Sequence, residues 1–471
     1  MAFNISSSSG ANDRNSCPTS ERFVDCIAAS HRAEFDEETL AAAKTFLADT
    51  LAVGVAGTAN PASDKVLQTA LGWGGGGNCR ILGRPGVQMS ALSAAVVNGF
   101  QIHGLEWDAL HEPSVVIALC TTTAALISEA ECSDAGLDDI LKALIIGVET
   151  AVFFGEGATT EPRFFRPSAA GLMGAAMALG WLRGYSREQM LDLLGLAYSQ
   201  VAGTMQAHWE GSEALPLQIG LAARSALTAA DLVSNGVTGP HDVIDGKFGY
   251  FKLIEQADNL DAQFDSWASP WKITEVAHKP FPAGRATQAT LTAIIDIGKG
   301  ADLDMDEIET ITVSLPSLIM LLVGRPYTKN MSPAYARLCL EFIAPMMIRE
   351  GRIDPRLFTP QIMNSDRAAA DAQKIVVVLD DNPNPNALAP QHIKILFSDG
   401  RTEERNIDAP FGSPAFPMSR EDQVKKAGFC FEVAGFTGEP VALFSSIFEN
   451  IETASMRDVI EIVTGSRKAA I

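Results

Sequence analysis

Two of the seven histidines in this 471-residue chain fall within "NGFQIHGLEWDALHEPSVV". His103, Glu106, Asp108 and His111 place two imidazoles and two carboxylates within nine residues. His103 and Glu106 are three apart, as are Asp108 and His111, so each pair shares a face if the segment is helical. Pro113 forces extended backbone on Glu112 and ends any helix there. A carboxylate beside an imidazole fixes its tautomer and moves its pKa, which suits general acid–base catalysis. The same spacing also suits helix-end capping and solvated charge. A metal site from the four side chains is a third reading, although their spacing matches no standard motif.

Three further segments carry charge suited to an anion. "RFFRPSAAG" sets Arg163 and Arg166 before a helix expected from about Ser168, where fork geometry and the helix N-terminus both favour a carboxylate. "QAHWEGSEA" offers His208 and Glu210 ahead of an apolar helix, and either a cleft or an ordinary loop would account for them. "HKPFPAGRATQ" gathers His278, Lys279 and Arg285 in a loop stiffened by two prolines, a second anion-binding candidate. The chain has no G-x-G-x-x-G after a strand, no Walker A loop and no G-x-S-x-G elbow. "GWGGGGNCR" reads as a flexible loop without a flanking strand and helix. No cofactor is expected.

Composition narrows the partners. With 36 Lys+Arg against 57 Asp+Glu the net charge is −21, and no dense basic block offsets it, so nucleic acid is not an expected partner. The seven cysteines are scattered and never form C-x-x-C, which fits reduced thiols in a cytoplasmic protein and gives no zinc or iron–sulfur set. The N-terminus lacks the basic and apolar regions of a signal peptide. The apolar stretch from Leu141 to Gly155 is broken by Glu149 and too short to span a bilayer, so no membrane association is expected.

The elements that must position these groups are mostly helices. From about Ser20 to Leu253 the pattern is Ala- and Leu-rich with helical periods. Asp36 caps a helix carrying Leu40, Leu47 and Leu51, with a stop near Gly57. Helices follow over Ala91–His103, Val115–Glu131, Leu137–Phe154 and Ala169–Leu182, and "SREQ" at Ser186–Gln189 opens another. Beyond Trp271, "ETITVSL", "KIVVVLDD" and "HIKILFSDGRTEERNI" read as strands, the last a hairpin at Asp399–Gly400, with a helix over Pro333–Arg349 between the first two. Helical patterning returns with "SREDQVKKAG", "SSIFENIETA" and "MRDVIEIVTG". The expected fold is mainly α: a large all-helical domain from both chain ends with an inserted, smaller α+β lid domain. Its boundaries are a tail at 1–19, helical domain at 20–268, lid at 269–408 and helical domain again at 409–471.

Taken in order, "LADTLAVGVAG", "NGFQIHGLEWDALHEPSVV", "FFRPSAAGLMGAA", "LPLQIGLAARSALTAADLVSNGVTGP", "DGKFGYF" and "HKPFPAGRAT" resemble the MmgE/PrpD family, which includes 2-methylcitrate dehydratase, cis-aconitate decarboxylase and iminodisuccinate epimerase. The resemblance implies a homodimer with a metal-free cleft between domains, acting on small carboxylic acids by proton transfer next to a carboxylate. It puts Glu106 and Asp108 on an acidic "DxDD"-like stretch, His111 on the histidine after it, and Lys279 and Arg285 on a "KPFP..R" segment. Arg166 falls where relatives carry "FHP", and "HWEG" at His208–Gly211 is similar to a subgroup. The chain departs from the family pattern at Ile117-Ala118 for "HP", at Leu215–Gln218 for a Lys-Arg pair, and at Gln288 for the histidine of "GRATH".

The expected activity is a 2-methylcitrate dehydratase-like lyase with an altered, less charged or larger substrate. His111 or His103 would be the base, with Glu106, Asp108 and His208 assisting, and Arg166, Lys279, Arg285, Glu210 and Gln288 would bind substrate. An epimerase, a cis-aconitate-type decarboxylase, or a binding subunit without catalysis are the alternatives.

Overall fold

The computed structural model describes residues 17–30, 35–133, 135–384, 387–436, 438, 442 and 455–465. Helices Glu37–Ala56, Ala91–His103, Ala118–Ala130, Leu137–Glu156, Arg166–Leu182 and Ala214–Ser234 pack around one apolar core. Local signals set their ends. Asp36 accepts from the Thr39 amide at 2.7 Å, and Ser186 forms a reciprocal box with Gln189. Helices Ala91–His103 and Ala214–Ser234 cross closely enough that a Cβ on Gly99 would lie 2.7 Å from the Gly220 Cα. Only glycine permits that approach, and the crossing fixes the helix that delivers His103.

The same core takes in the end of the chain. Helices Arg420–Val433 and Met456–Val463 contribute Phe431, Val459 and Val463 to it. The buried Lys426 ammonium lies 2.7 Å from Asp49 on helix Glu37–Ala56 and also reaches the Trp107 carbonyl. Both chain ends therefore build the helical part. A second core belongs to residues between Ala283 and Phe397 and lies under a four-stranded sheet. Its order is Ile375–Leu379, Ile308–Leu315, Gln391–Phe397, Thr402–Ile407, parallel in the first pair and antiparallel in the others. Ile311, Val313 and Leu315 alternate into this core at the period of a half-buried strand.

Several elements differ from the sequence expectation. The first helix spans Pro18–Ser30, so ordered structure begins inside the expected tail, whose residues 1–16 lie outside the described ones. Helix Ala118–Ala130 starts three residues later than Val115, because His111 and Val116 pair across a tight turn in which Val115 takes a φ of 55°. The helical part also holds a two-stranded sheet, Cys79–Ile81 with Arg84–Met89. The glycine run is flanked after all, by helix Ser63–Gly72 before it and this strand after it, the reverse order of a phosphate loop. The helix expected over Pro333–Arg349 is broken into Pro333–Ala336 and Leu340–Glu350. Between them the Arg337 carbonyl accepts from Gly284 and Cys339 pairs with Gly324, so pairing with other segments of the chain displaces helical hydrogen bonding. Ser445–Ala454, expected as helix, lies outside the described residues. Glu37–Ala59 is long and apolar enough by composition to cross a membrane, with 72% of that window buried inside the protein.

Candidate active site

Helix Ala91–His103 ends at Gly104, leaving His103 in its last turn, where the helix dipole favours a cation. The chain then folds back, and Asp108 meets His103 Nδ1 at 2.9 Å while Glu106 Oε1 lies 3.3 Å from Nε2. Glu106 holds its position with a φ of 55°, a left-handed conformation that a glutamate seldom adopts and that surrounding contacts must impose. Those contacts are visible: Asn60 donates to the Gly104 carbonyl at 2.7 Å, and Trp107 Nε1 donates to Pro280 at 3.1 Å. Leu110 pairs with Ala277, which lays the 276–285 segment alongside and brings Lys279 within 3.1 Å of Glu106 and 3.5 Å of Asp108. A cation far away in sequence thereby joins the carboxylates of the first motif.

This cluster faces a cavity with about 860 Å³ of empty space, counting its open mouth. His103, Glu106, Lys279, His208, Arg166 and Arg285 are its polar lining. The remaining walls are apolar. Leu110, Val115, Ile117, Phe165 and Met205 come from the helical part, and Leu318, Leu322, Val323, Leu338 and Leu388 from the smaller part. Ile117, where relatives were expected to carry histidine, is among them.

Charge in the cluster is set by competition. Burial alone would lower the His103 pKa, but Asp108 and Glu106 overcome it and hold the imidazole well above its ordinary range. Burial opposes ionisation of Glu106 and Asp108, yet Lys279 and His103 keep both carboxyls below theirs. Lys279 is raised in turn, the two carboxylates outweighing its desolvation. His208 differs: burial and the Arg325 guanidinium push it down to about 4, so it is neutral at pH 7. Arg325 Nη1 donates to the His208 carbonyl, and its Nη2 lies 3.5 Å from His208 Nδ1.

The remaining expected site residues divide. Arg166 lines the cavity, but its fork is occupied by Glu255 at 2.8 Å and by the carbonyls of Ser114 and Thr160, so it is not an open carboxylate anchor. Arg285 pairs through Nε with Glu112 at 2.7 Å and through Nη1 with the His278 carbonyl, which leaves Nη2 buried without a partner. Gln288 does not reach the cavity. Its amide accepts from the Phe281 amide and donates to the Phe281 and Ala283 carbonyls, tying the proline loop to its own helix. Glu210 is exposed and accepts from Gln206, because its short helix turns it outward. His278 stacks on Phe46 and is pushed down to about 4 by burial.

His111, the residue that sequence placed first as base, stands elsewhere. The turn to Val116 directs its Nδ1 to Ser114 at 2.9 Å and its Nε2 to Glu275 at 3.2 Å, outside the cavity lining. The metal reading from His103, Glu106, Asp108 and His111 fails with it, since His111 joins a different set. Ligand atoms of His111, Glu156 and Glu275 do lie within 4.8 Å of one another. Lys272, 3.1 Å from Glu275 and 3.9 Å from Glu156, already supplies the positive charge there. Arg325 and the apolar residues Leu318 and Leu322 escaped the sequence reading. No motif marks them, and only Arg325 beside Pro326 in "LLVGRPY" carried any chemical signal.

Comparison with known proteins agrees with this architecture. The model of the MmgE/PrpD N-terminal domain matches residues 21–263, and that of the MmgE/PrpD C-terminal domain matches residues 281–434. The cis-aconitate decarboxylase of Mus musculus is 28% identical over 397 residues, covering 80% of each chain. That of Homo sapiens is 27% identical over 425 residues, 86% of each, and that of Aspergillus terreus is 24% identical over 430 residues, 84% of this chain and 86% of its own.

Proposed function

The chain belongs to the MmgE/PrpD family, and from that premise we propose that it is a lyase that breaks a bond next to a carboxylate, with loss of carbon dioxide as the favoured reaction. One observation carries the choice. His103 is buried, braced at Nδ1 by Asp108 and kept cationic, while Nε2 has no aligned hydrogen-bond partner at the edge of the cavity. A held imidazolium is a proton donor, not a base. Decarboxylation of a β,γ-unsaturated acid needs such a donor. The proton from Nε2 adds to the γ-carbon, the C–C bond to the departing carboxylate breaks, and its electron pair becomes the shifted double bond as carbon dioxide leaves. Neutral imidazole remains and takes a proton back from solvent. Lys279 and the free Nη2 of Arg285 would balance charge that moves during the step. The names of the relatives support this direction over the dehydration first expected.

A second reading rests on His208, which lines the same cavity as a neutral imidazole. As a base it would remove a proton alpha to a carboxylate and lead to elimination or epimerisation. Turnover in D₂O separates the two. Cis-aconitate and a panel of unsaturated and hydroxy acids are incubated with the protein, with gas and product followed by mass spectrometry. Carbon dioxide release with one deuterium in the product supports the proposal. Release of water without carbon dioxide, or deuterium entering recovered substrate, assigns the chemistry to His208 and overturns it.

A further inference from the structure

We propose that Cys79 and Cys132 form a reversible disulfide, an oxidation site that staples the chain segment carrying His103, Glu106 and Asp108. The two positions lie 53 apart and share no C-x-x-C spacing, so only the fold brings them together. Cys79 opens strand Cys79–Ile81, Cys132 follows the end of helix Ala118–Ala130, and their Sγ atoms are 3.4 Å apart. A disulfide spans about 2.05 Å, so closure takes a shift of about 1.4 Å, which side-chain rotation and the exposed turn after the helix can share. Neighbouring residues hold the two backbones in register. Glu131 accepts from the Arg80 amide at 2.6 Å and from Arg80 Nε at 2.9 Å, a charge-assisted clamp that keeps the adjoining cysteines opposed.

The two thiols divide the work. Cys132 is exposed, while Cys79 is 1% exposed and lies 3.5 Å from the Ser128 carbonyl. Burial, and after it the neighbouring Cys132 thiol, push the Cys79 thiol up, which makes it the poorer first nucleophile. A small soluble disulfide such as glutathione disulfide therefore reacts first at Cys132. The Cys132 thiolate attacks one sulfur, the glutathione S–S bond breaks, and one glutathione leaves as a thiolate that takes up a proton. Cys79, already in contact, gives its proton to water and attacks Cys132 Sγ, and the second glutathione leaves. Two protein thiols are oxidised, one glutathione disulfide is reduced to two thiols, and the reverse exchange reopens the bond.

The bond closes a loop that contains helix Ala91–His103, Glu106, Asp108 and helix Ala118–Ala130. Asn98, on the first of these helices, accepts from the Leu82 amide at 2.9 Å and donates to the Arg80 carbonyl at 3.3 Å. The strand that bears Cys79 is thus already bonded to the helix that delivers His103. A cross-link there restricts the unfolded chain across the whole segment, so oxidation stabilises the native protein.

None of this depends on the lyase reading, and the test needs no turnover. The full chain and its Cys132→Ser variant, altered only at an exposed position, are equilibrated in glutathione buffers from reducing to oxidising. Free thiols are then alkylated, peptides are read by mass spectrometry, and urea unfolding is measured on the same samples. In the parent, two of the seven thiols should disappear together, with one peptide pair linking Cys79 to Cys132, full reversal by dithiothreitol and a higher urea midpoint when linked. Cys132→Ser should keep Cys79 reduced and show a midpoint that does not move with the buffer. Retention of all seven thiols, a glutathione adduct that persists on Cys132, or a cross-link through a different cysteine overturns the proposal. A linked form with an unchanged or lower midpoint overturns it as well.

Discussion

His103 and His111 lie in one motif, and each meets two carboxylates and a lysine, yet the structure drives them to opposite charge states. His103 has Asp108 at 2.9 Å, Glu106 at 3.3 Å and Lys279 bridging both carboxylates. His111 has Glu275 at 3.2 Å, Glu156 at 3.9 Å and Lys272 between them. Desolvation weighs on both imidazoles. The difference lies in the partners: the Asp108 and Glu106 side chains are 0% and 11% exposed, those of Glu156 and Glu275 are 22% and 36%. Buried carboxylates act through a low dielectric and outweigh burial, whereas half-exposed ones are screened and do not. His111 is consequently lowered and neutral. Equal residue types give a cationic imidazole facing a cavity in one place and a neutral imidazole held between Ser114 and Glu275 in the other.

The comparison is broken most directly by removing each imidazole. His103→Gln should lower kcat by about 10²- to 10⁴-fold, the usual worth of a positioned acid. His111→Gln should leave kcat within about threefold. Steady-state assays on both variants, with circular dichroism to confirm folding, decide it, and a matched loss in His111→Gln would put His111 back in the reaction.

Next in size is the lysine in each set. Lys279→Met removes one of the two cations that the buried Glu106 and Asp108 meet, and breaking a buried pair from one side costs about 3–5 kcal/mol. Lys272→Met removes a partner from carboxylates that water still reaches, so about 1 kcal/mol is expected. Urea unfolding of the two variants measures the contrast, and equal losses would mean that the exposure difference carries no energetic weight.

Much of the fold was legible because helix signals are local. The Asp36 cap, the Ser186 box and helix Ala91–His103 follow from capping chemistry and period, and the Asp399–Gly400 hairpin follows from its turn residues. The break at Arg337–Cys339 was not legible, since it depends on pairing with Gly284 and Gly324 from other parts of the chain. At the site, the residue types were legible and their partners were not. His103, Glu106, Asp108 and Lys279 could be named from one motif and one loop, but nothing in either string says that Glu255 occupies Arg166 or that Glu275 claims His111. Separating an anchor from a brace requires knowing which carboxylate arrives from a distant segment.

The smallest effect gives the sharpest comparison, because its sign differs between the two imidazoles. The folded pKa of His103 is raised, so between about 6.5 and that raised value the native chain holds a proton the unfolded chain has lost. Its contribution to stability is full below about pH 6.5 and declines as pH rises, by up to about 1.4 kcal/mol per pH unit. His111 is lowered, so it contributes above about pH 6.5 and that contribution falls away as pH drops towards its folded pKa, where the unfolded chain binds a proton the native chain excludes. Subtracting the unfolding free energy of each Gln variant from that of the parent isolates the two terms, since other groups titrate in both proteins. The His103 difference should shrink from pH 7 to 9, and the His111 difference should shrink from pH 7 to 5. Long-range ¹H–¹⁵N spectra at pH 7 should accordingly show His103 as imidazolium and His111 as neutral imidazole. Slopes of the same sign would mean that solvent exposure of the carboxylates does not govern the charge of their histidine, and the assignment of His103 as proton donor would lose its physical basis.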